Sequence, residues 1–274
     1  MHNKPIKIAT DKFTIDGVKN FMLESKLDDQ IMIVTLTNGK TNSITRETLE
    51  QLKDCVDKTN QDKEIKGIIL TGQNRFFSSG FDLYTFMGFN NRDEAIEFLG
   101  FADKVFLDLF ICSKPVICAM NGHAAAGGLI LAMASDYRLI TDHPKIKVGM
   151  SEIKIGVPLS VAQSAIMRFG LDSDKKFRDL MYFGDMMDVT TAHQKGIVDE
   201  LLAPENLINR AKELVKMWID TPARPFCRLK EELKMETARM IRRRMADTDW
   251  QKALDCFFDK QVKDTLAFVQ STME

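Results

Sequence analysis

The feature that most constrains this fold is an apolar segment that turns into a pair of glycines. Residues Val116–Met120 have the composition of a buried strand, and a turn of small residues connects them to an apolar helix beginning at Gly127 and Gly128. A strand that passes through a short turn into a helix is typical of an α/β protein. The first N–H groups of a helix have no partner inside it, and glycine lets a ligand approach them closely. The segment therefore predicts a fold class and a set of backbone donors.

The rest of the chain alternates between strand and helix patterns up to about residue 160. Further strands are predicted at residues 31–36, 68–70, 137–141 and 146–149, helices at residues 45–58 and 93–112, and a loop at residues 76–83. From residue 160 onward the pattern is helical, and Pro204 marks a helix start. We predict an N-terminal extension at residues 1–20, an α/β core domain at residues 21–219 and a strand-free helical region at residues 220–274.

Composition excludes several classes of function. The 274 residues are 45% hydrophobic and carry a formal net charge of −1, so nucleic acid is not an expected partner. No apolar run is long enough to span a membrane, and residues 1–20 lack the apolar centre of a secretory signal, so a cytoplasmic location is predicted. The five cysteines are scattered and the four histidines form no ligand motif, which predicts free thiols and no metal.

The glycine pair has several interpretations. Gly122 and Gly127 have the spacing of a phosphate-binding P-loop, but the lysine and hydroxyl residue that must follow are missing. The chain also lacks the dinucleotide-binding glycine pattern and the nucleophile elbow of hydrolases. Two readings stay open at equal weight: close packing of strand against helix, or donors that stabilise an oxyanion.

Two further places could carry chemistry, and each has a simpler explanation. The backbone of residues 79–82 could offer donors to a ligand, or it could be an ordinary turn in which Asp82 caps a helix. Glu152 could act as a base beside a carbonyl group, although a surface acid at the end of a strand is the commoner case. The basic run Arg242–Arg244 is interpreted as a solvated helix face.

Five segments in the same order resemble the crotonase, or enoyl-CoA hydratase/isomerase, superfamily, over about residues 25–270. The segments are residues 38–44, 77–83, 121–138, 148–156 and 192–198. The resemblance implies a spiral of ββα units with a helical C-terminal region that forms trimers or pairs of trimers. It also implies that the backbone N–H groups of Phe81 and Gly127 form an oxyanion hole for a thioester carbonyl, with Glu152 as the acid/base.

The resemblance further implies an acyl-CoA substrate, no separate cofactor and no membrane partner. The residues expected along the coenzyme A molecule are Ser43, Ile44, Ser79, Asp82, Leu83, Tyr84 and Gly128. Hydratases of the family use two carboxylates, and the position of the second is occupied here by Ile130. One carboxylate suffices to shift a double bond, so the chain is similar to enoyl-CoA delta isomerases. The alternatives are a hydratase, decarboxylase, dehalogenase or thioesterase, or a member that binds coenzyme A without catalysis.

Overall fold

A computed structural model of the chain describes residues 22–273, so the extension predicted at residues 1–20 lies outside the described residues. The strands are β1 (Leu23–Asp28), β2 (Ile31–Leu36), β3 (Gly67–Gly72), β4 (Phe76–Ser78), β5 (Val116–Met120), β6 (His123–Ala125), β7 (Tyr137–Thr141), β8 (Lys147–Gly149), β9 (Met186–Asp188) and β10 (Glu200–Leu202). The strands predicted before residue 160 are confirmed to within two residues at each end.

The helices occupy the segments between and after these strands. They are α1 (Arg46–Gln61), α2 (Leu83–Met87), α3 (Arg92–Phe110), α4 (Gly127–Ala134), α5 (Glu152–Ile155), α6 (Val161–Gly170), α7 (Asp174–Phe183), α8 (Val189–Gln194), α9 (Leu207–Ile219), α10 (Pro225–Ala246) and α11 (Lys260–Met273). Short 3₁₀ segments lie at Pro204–Asn206 and Asp249–Phe258. The predicted helix start at Pro204 is confirmed, and residues 220–273 contain no strand, as predicted.

From β3 to β8, consecutive strands alternate between two sheets. The larger sheet has the order β1-β2-β3-β5-β7-β10 and the smaller one the order β4-β6-β8-β9. The pairs β3/β4, β5/β6 and β7/β8 therefore each give one strand to each sheet before the chain enters a helix. Repetition of this ββα unit produces a spiral. The α/β class and the spiral predicted from the sequence are both confirmed.

Two details of the predicted architecture are wrong. The chain does not remain helical after residue 160, because β9 pairs antiparallel with β8 and β10 pairs parallel with β7. Residues 76–83 are also not wholly a loop, since Phe76–Ser78 forms β4 and α2 begins at Leu83. The strands β4, β9 and β10 have only three residues each, which is too short for alternation to be visible, and their hydrogen bonds come from partners far away in the sequence. The six-residue strand β1 was not predicted either.

The larger sheet separates two hydrophobic cores. Ile31 and Ile33 of β2 pack toward α9, where Leu214 is buried, whereas Met32 and Val34 point into the main core on the other face. This alternation follows from the two-residue period of a strand. All five cysteines are free thiols, as predicted, and three of them are buried. Within residues 22–273, no helix is both long and apolar enough to cross a membrane.

The C-terminal region is only partly buried against the core. Phe257 and Leu266 are almost completely buried, whereas Leu229, Leu233 and Phe268 are more than 60% exposed. Only some of the large apolar residues of this region therefore pack on the main domain. The basic run at residues 242–244 lies on an exposed face of α10, as predicted.

A buried ionic cluster attaches α10 to the core. The Nζ atoms of Lys230 and Lys234 each lie 2.6 Å from a carboxylate oxygen of Asp136, and all three side chains are almost fully buried. Lys230 also donates to the carbonyl of Lys114 at 2.8 Å, and Lys234 to that of Phe110 at 2.9 Å. Burial lowers the pKa of Lys234 to about 8, because the charged form loses hydration. This cluster was not predicted from the sequence.

Candidate active site

Three neighbouring strands of the smaller sheet deliver the predicted catalytic residues to one edge. β4, β6 and β8 run parallel, so their carboxyl ends lie side by side. Phe81 comes three residues after the end of β4, Gly127 two residues after β6 and Glu152 three residues after β8. Adjacent strands are only ~4.8 Å apart. The sheet therefore brings together the three residues that the resemblance implied, although they are up to 71 positions apart in the sequence.

The backbone N–H of Phe81 points away from the neighbouring segment that contains Ile44. Phe81 forms an isolated parallel bridge with Ile44. In this bridge the N–H of Ile44 donates to the carbonyl of Gly80 at 2.8 Å, and the N–H of Asp82 donates to the carbonyl of Ile44 at 3.0 Å. Because these bonds use the residues on either side of Phe81, its own N–H points to the opposite edge of the backbone.

The opposite edge faces the start of α4. A Cβ atom placed on Gly80 would lie 2.8 Å from the backbone nitrogen of Gly127, and one placed on Gly128 would lie 2.4 Å from the carbonyl oxygen of Ser78. Side chains at these two positions would force the segments apart. The glycines thus permit the close packing that one interpretation of the sequence expected, and they let the start of α4 approach the loop that holds Phe81. An oxyanion role for the N–H groups stays a prediction.

Backbone strain marks the residue immediately before α4. Ala126 has a φ of 51°, in a region that residues with a side chain rarely occupy. Its N–H donates to the carbonyl of Gly149 at 3.0 Å, which ties it to the segment that leads to Glu152. Strain of this kind costs on the order of 1–3 kcal/mol and concentrates at functional sites. Here it directs the chain so that α4 begins at Gly127, against the loop that holds Phe81.

Glu152 is buried rather than exposed at a strand end. Glu152 is only 7% exposed, and its Oε2 atom has no hydrogen-bond partner among the described residues. Burial raises the pKa of Glu152 to about 7, although backbone N–H groups of Ser151 and Glu152 itself favour the charged form. The alternative reading of a surface acid is therefore wrong. A carboxyl group with a pKa near neutrality can both accept and donate a proton.

The position that the resemblance associates with a second carboxylate lies inside the protein. Ile130 is 1% exposed on the first turn of α4, and its N–H donates to the carbonyl of Ala126 at 3.1 Å. An aliphatic side chain at this place can neither bind nor activate a water molecule.

Six of the seven residues predicted along coenzyme A lie on two adjoining backbone segments, and the seventh, Gly128, lies in the first turn of α4. The N–H of Ser79 donates to the carbonyl of Thr41 at 2.9 Å, next to the bridge at Ile44. Ser43 is held by the side chain of Asn38, which donates to its carbonyl at 2.8 Å. Leu83 is largely buried and Tyr84 is 54% exposed at the start of α2. Backbone hydrogen bonds join the two segments next to Phe81, but coenzyme A binding there stays a prediction.

Asp82 has a structural role in this region. Its carboxylate accepts hydrogen bonds at 2.9 Å from the N–H and from the hydroxyl of Thr85, which is the pattern of a helix N-cap. The capping alternative derived from the sequence is therefore confirmed.

One buried acid was not identified from the sequence. Asp103 on α3 accepts hydrogen bonds from the hydroxyl of Ser160 and, at 3.1 Å, from the N–H of Ala162 at the start of α6. Burial raises the pKa of Asp103 to about 6. Its position within a helix of mostly apolar residues was the available signal. Ser160 follows the loop after α5, the helix that begins at Glu152. Asp103 therefore anchors the chain segment that leads away from Glu152.

No group of three or more His, Cys, Asp or Glu side chains within residues 22–273 is arranged to hold a metal ion. Phe81, Gly127 and Glu152 together offer two backbone donors and one acid/base group. Donors pre-oriented toward a developing negative charge stabilise enolate-like intermediates. A nearby carboxylate can remove the proton whose loss creates that charge.

Residues 26–270 match the enoyl-CoA hydratase/isomerase family, so the chain belongs to this family. Membership indicates an enzyme of enoyl-CoA chemistry and confirms the resemblance drawn from the sequence motifs. Over 242 residues the chain is 26% identical to mouse mitochondrial enoyl-CoA delta isomerase 1, a match that covers 85% of this chain and 82% of the relative. It is 30% identical over 199 residues to crotonyl-CoA hydratase of Syntrophomonas wolfei, which covers 72% and 74% of the two chains.

The fold is also that of a solved family structure. Human mitochondrial delta3-delta2-enoyl-CoA isomerase superposes with a TM-score of 0.83 at 22% identity, covering 92% of this chain and 98% of the human chain. This likeness establishes the architecture. The cytoplasmic location predicted from the sequence stays a prediction.

Proposed function

We propose that this protein is an isomerase that converts 3-enoyl-CoA thioesters to trans-2-enoyl-CoA. The observation that carries the proposal is one buried acid, Glu152, with a pKa near neutrality, in a site whose second family position is the aliphatic Ile130. A single acid/base group is sufficient for a proton shift, whereas hydration needs a water molecule to be held and activated.

The proposed reaction moves one proton between two carbons of the substrate. The thioester carbonyl accepts hydrogen bonds from the N–H groups of Phe81 and Gly127. The carboxylate of Glu152 removes a proton from C2, and the electron pair of the broken C–H bond is delocalised over the alkene and the carbonyl as a dienolate. The protonated Glu152 then returns the proton to C4, and the double bond forms between C2 and C3.

The oxyanion donors and the base each lower the activation barrier of the proposed reaction. Each well-placed oxyanion donor contributes roughly 3–4 kcal/mol to the stability of the transition state, and a positioned base contributes roughly a hundred- to ten-thousandfold in rate. The raised pKa of Glu152 helps in both halves of the reaction, because proton transfer is most efficient when the group titrates near the working pH.

Separate assays with two substrates test the proposal. We expect the enzyme to convert 3-hexenoyl-CoA to 2-hexenoyl-CoA, measured by the absorbance of the conjugated thioester. We expect no loss of that absorbance when 2-hexenoyl-CoA is supplied instead, because no second acid activates water. Hydration of 2-hexenoyl-CoA at a rate comparable to isomerisation would contradict the proposal.

A hydratase is the second candidate, and the 30% identity to a crotonyl-CoA hydratase favours it over the other reactions of the family. The two assays decide between these activities. A protein that turns over neither thioester but still binds coenzyme A derivatives would be a binding member of the family.

We also propose that the enzyme self-associates through α10. Leu229 and Leu233 lie one turn apart on this helix and are 63% and 68% exposed, beside the oppositely charged Arg228 and Glu232. Apolar residues bordered by complementary charges can pair with a second copy of the chain. As the resemblance implied, we expect three or six copies.

Sedimentation equilibrium measures this expectation. The wild type should have the mass of a trimer or a pair of trimers, and Leu229→Glu/Leu233→Glu should reduce it to that of a single chain. Arg243→Glu, an exposed change elsewhere on α10, serves as the control and should leave the mass unchanged. A monomeric wild type, or a double variant that keeps its mass, would rule out this interface.

A further inference from the structure

A cluster of phenylalanine rings begins beside the candidate oxyanion hole and ends in the C-terminal region. Its members are Phe81, Phe86, Phe89, Phe98, Phe106 and Phe257. The ring of Phe81 lies nearest to the site, since a Cβ atom on Gly127 would be 3.2 Å from its Cδ2 atom. The cluster therefore starts directly next to one of the two backbone donors.

The rings are arranged in successive layers away from that donor. The centroid of Phe81 lies 5.4 Å from that of Phe86, 5.8 Å from Phe98 and 5.9 Å from Phe106. The centroid of Phe257 then lies 4.9 Å from that of Phe86. These separations correspond to direct ring contact. All of the rings beyond Phe81 are buried.

We propose that this phenylalanine cluster limits the length of the acyl chain that the enzyme accepts, with Phe257 as the determining residue. The inference rests on the proposed function, which places the thioester carbonyl at the amides of Phe81 and Gly127. The carbons next to that carbonyl then lie against the ring of Phe81. A short chain ends at these rings, whereas a long chain needs volume that the rings of Phe86 and Phe257 fill, and close-packed interiors do not admit extra methylenes without rearrangement.

Phe257 differs from the other rings in where it is attached. Phe86, Phe98 and Phe106 belong to α2 and α3, next to the loop that holds Phe81. Phe257 comes instead from the 3₁₀ segment Asp249–Phe258, after α10. Removal of its ring would leave both donors and Glu152 in place and open an apolar cavity next to Phe86. Apolar cavities of this kind stay dry and take up apolar groups.

Rates with two chain lengths test the inference. We expect wild type to have a higher kcat/KM for 3-hexenoyl-CoA than for 3-dodecenoyl-CoA. In Phe257→Ala the ratio of kcat/KM for 3-dodecenoyl-CoA to kcat/KM for 3-hexenoyl-CoA should rise at least about 10-fold, chiefly because the value for 3-dodecenoyl-CoA increases. Phe257→Leu should change the ratio less and in the same direction, and it keeps the test valid if the alanine variant does not fold.

The control is Phe110→Leu, which alters a buried ring on α3 that packs against Phe169 at 4.9 Å, outside the cluster. It should leave the ratio of the two substrates unchanged. An unchanged ratio in both Phe257 variants would overturn the inference. A wild type that uses both chain lengths equally well would overturn it too.

Binding of saturated thioesters separates this inference from the proposed reaction. Calorimetric titration with hexanoyl-CoA and dodecanoyl-CoA reports chain-length selection without any proton transfer. If wild type does not isomerise either substrate but Phe257→Ala gains affinity for dodecanoyl-CoA, the proposed reaction fails and the length limit stands. If isomerisation is observed and neither ratio responds to Phe257, the reaction stands and the length limit fails.

Discussion

Glu152→Gln is expected to reduce kcat for the isomerisation of 3-hexenoyl-CoA by roughly a thousandfold, because a glutamine cannot accept a proton from C2. The binding of the thioester should change little, since glutamine has the same shape and the amides of Phe81 and Gly127 are untouched. Steady-state rates, together with calorimetric titration of hexanoyl-CoA, measure the two effects separately.

The pH dependence of the wild type should report the same carboxyl group. Proton removal requires the charged form of Glu152, whose pKa is raised to about 7 by burial. We therefore expect kcat/KM to rise with pH and to level off above a midpoint near 7.

The free energy of unfolding should fall with increasing pH because of Glu152, whereas kcat/KM should rise. Because the pKa in the folded protein lies above the unfolded value of 4.5, the folded state holds the proton more tightly. The resulting stabilisation is complete below pH 4.5 and is lost as the pH rises through 7, by about 3 kcal/mol. Glu152→Gln removes this dependence, so it should be more stable than wild type at pH 8 in urea unfolding.

Glu200→Gln is the matched control for the rate of isomerisation and for the pH dependence of that rate. Glu200 lies on β10 and is paired with Arg210, away from the edge that holds the candidate site. This change should leave the rate and its pH midpoint as in wild type. If Glu152→Gln retained more than a tenth of the activity, Glu152 would not be the base and the proposed mechanism would have to be abandoned.

Asp136→Asn is expected to lower the free energy of unfolding by roughly 3–5 kcal/mol, because it leaves two buried ammonium groups without a countercharge. Lys230 and Lys234 have almost no access to water with which to replace the lost interaction. The variant should also loosen α10 from the core. Urea unfolding at pH 7 measures the first effect, and hydrogen exchange of the α10 amides measures the second.

Lys234→Met provides a revealing control. It leaves Asp136 paired with Lys230 and replaces a buried cation by an apolar chain of similar length, so we expect a loss of at most about 1 kcal/mol. The pKa of Lys234 is lowered to about 8, so between pH 8 and the unfolded value of 10.5 the unfolded state binds more protons. The contribution of Lys234 to stability should therefore increase with pH across this window. Equal losses in the two variants would show that Asp136 does not hold both lysines.

Much of the site was predictable because its parts are local in sequence. A strand that ends in small residues and leads into a helix can be recognised at residues 116–135 without any tertiary information. Ser79 to Asp82 and Glu152 were identified in the same way, from short motifs in a fixed order. Local patterns of this kind report backbone conformation, which depends on neighbours a few residues away.

The strands β9 and β10 were not predicted because they depend on residues far away in the sequence. Three residues carry almost no periodicity, and each strand exists because a distant partner completes its hydrogen bonds. The pairing of Asp136 with Lys230 and Lys234 was equally invisible, since 94 and 98 positions separate the partners. Single-sequence patterns do not contain information about contacts at such separations.

Before residue 160, the sequence alone determined the strands β2, β3, β5, β7 and β8, the helices α1, α3 and α4, and the glycines at 127 and 128. With the family resemblance, it also determined the presence of one acid where the family has two. Only the tertiary structure decided that Glu152 is buried, that its pKa is near 7, and that the strand before it, β8, pairs with β6, the strand before Gly127. The physical reason is that burial and proximity arise from parallel pairing of β4, β6 and β8, which joins residues far apart in the chain. Residue identity fixes what chemistry is available, and long-range packing fixes the charge state and geometry in which it is used.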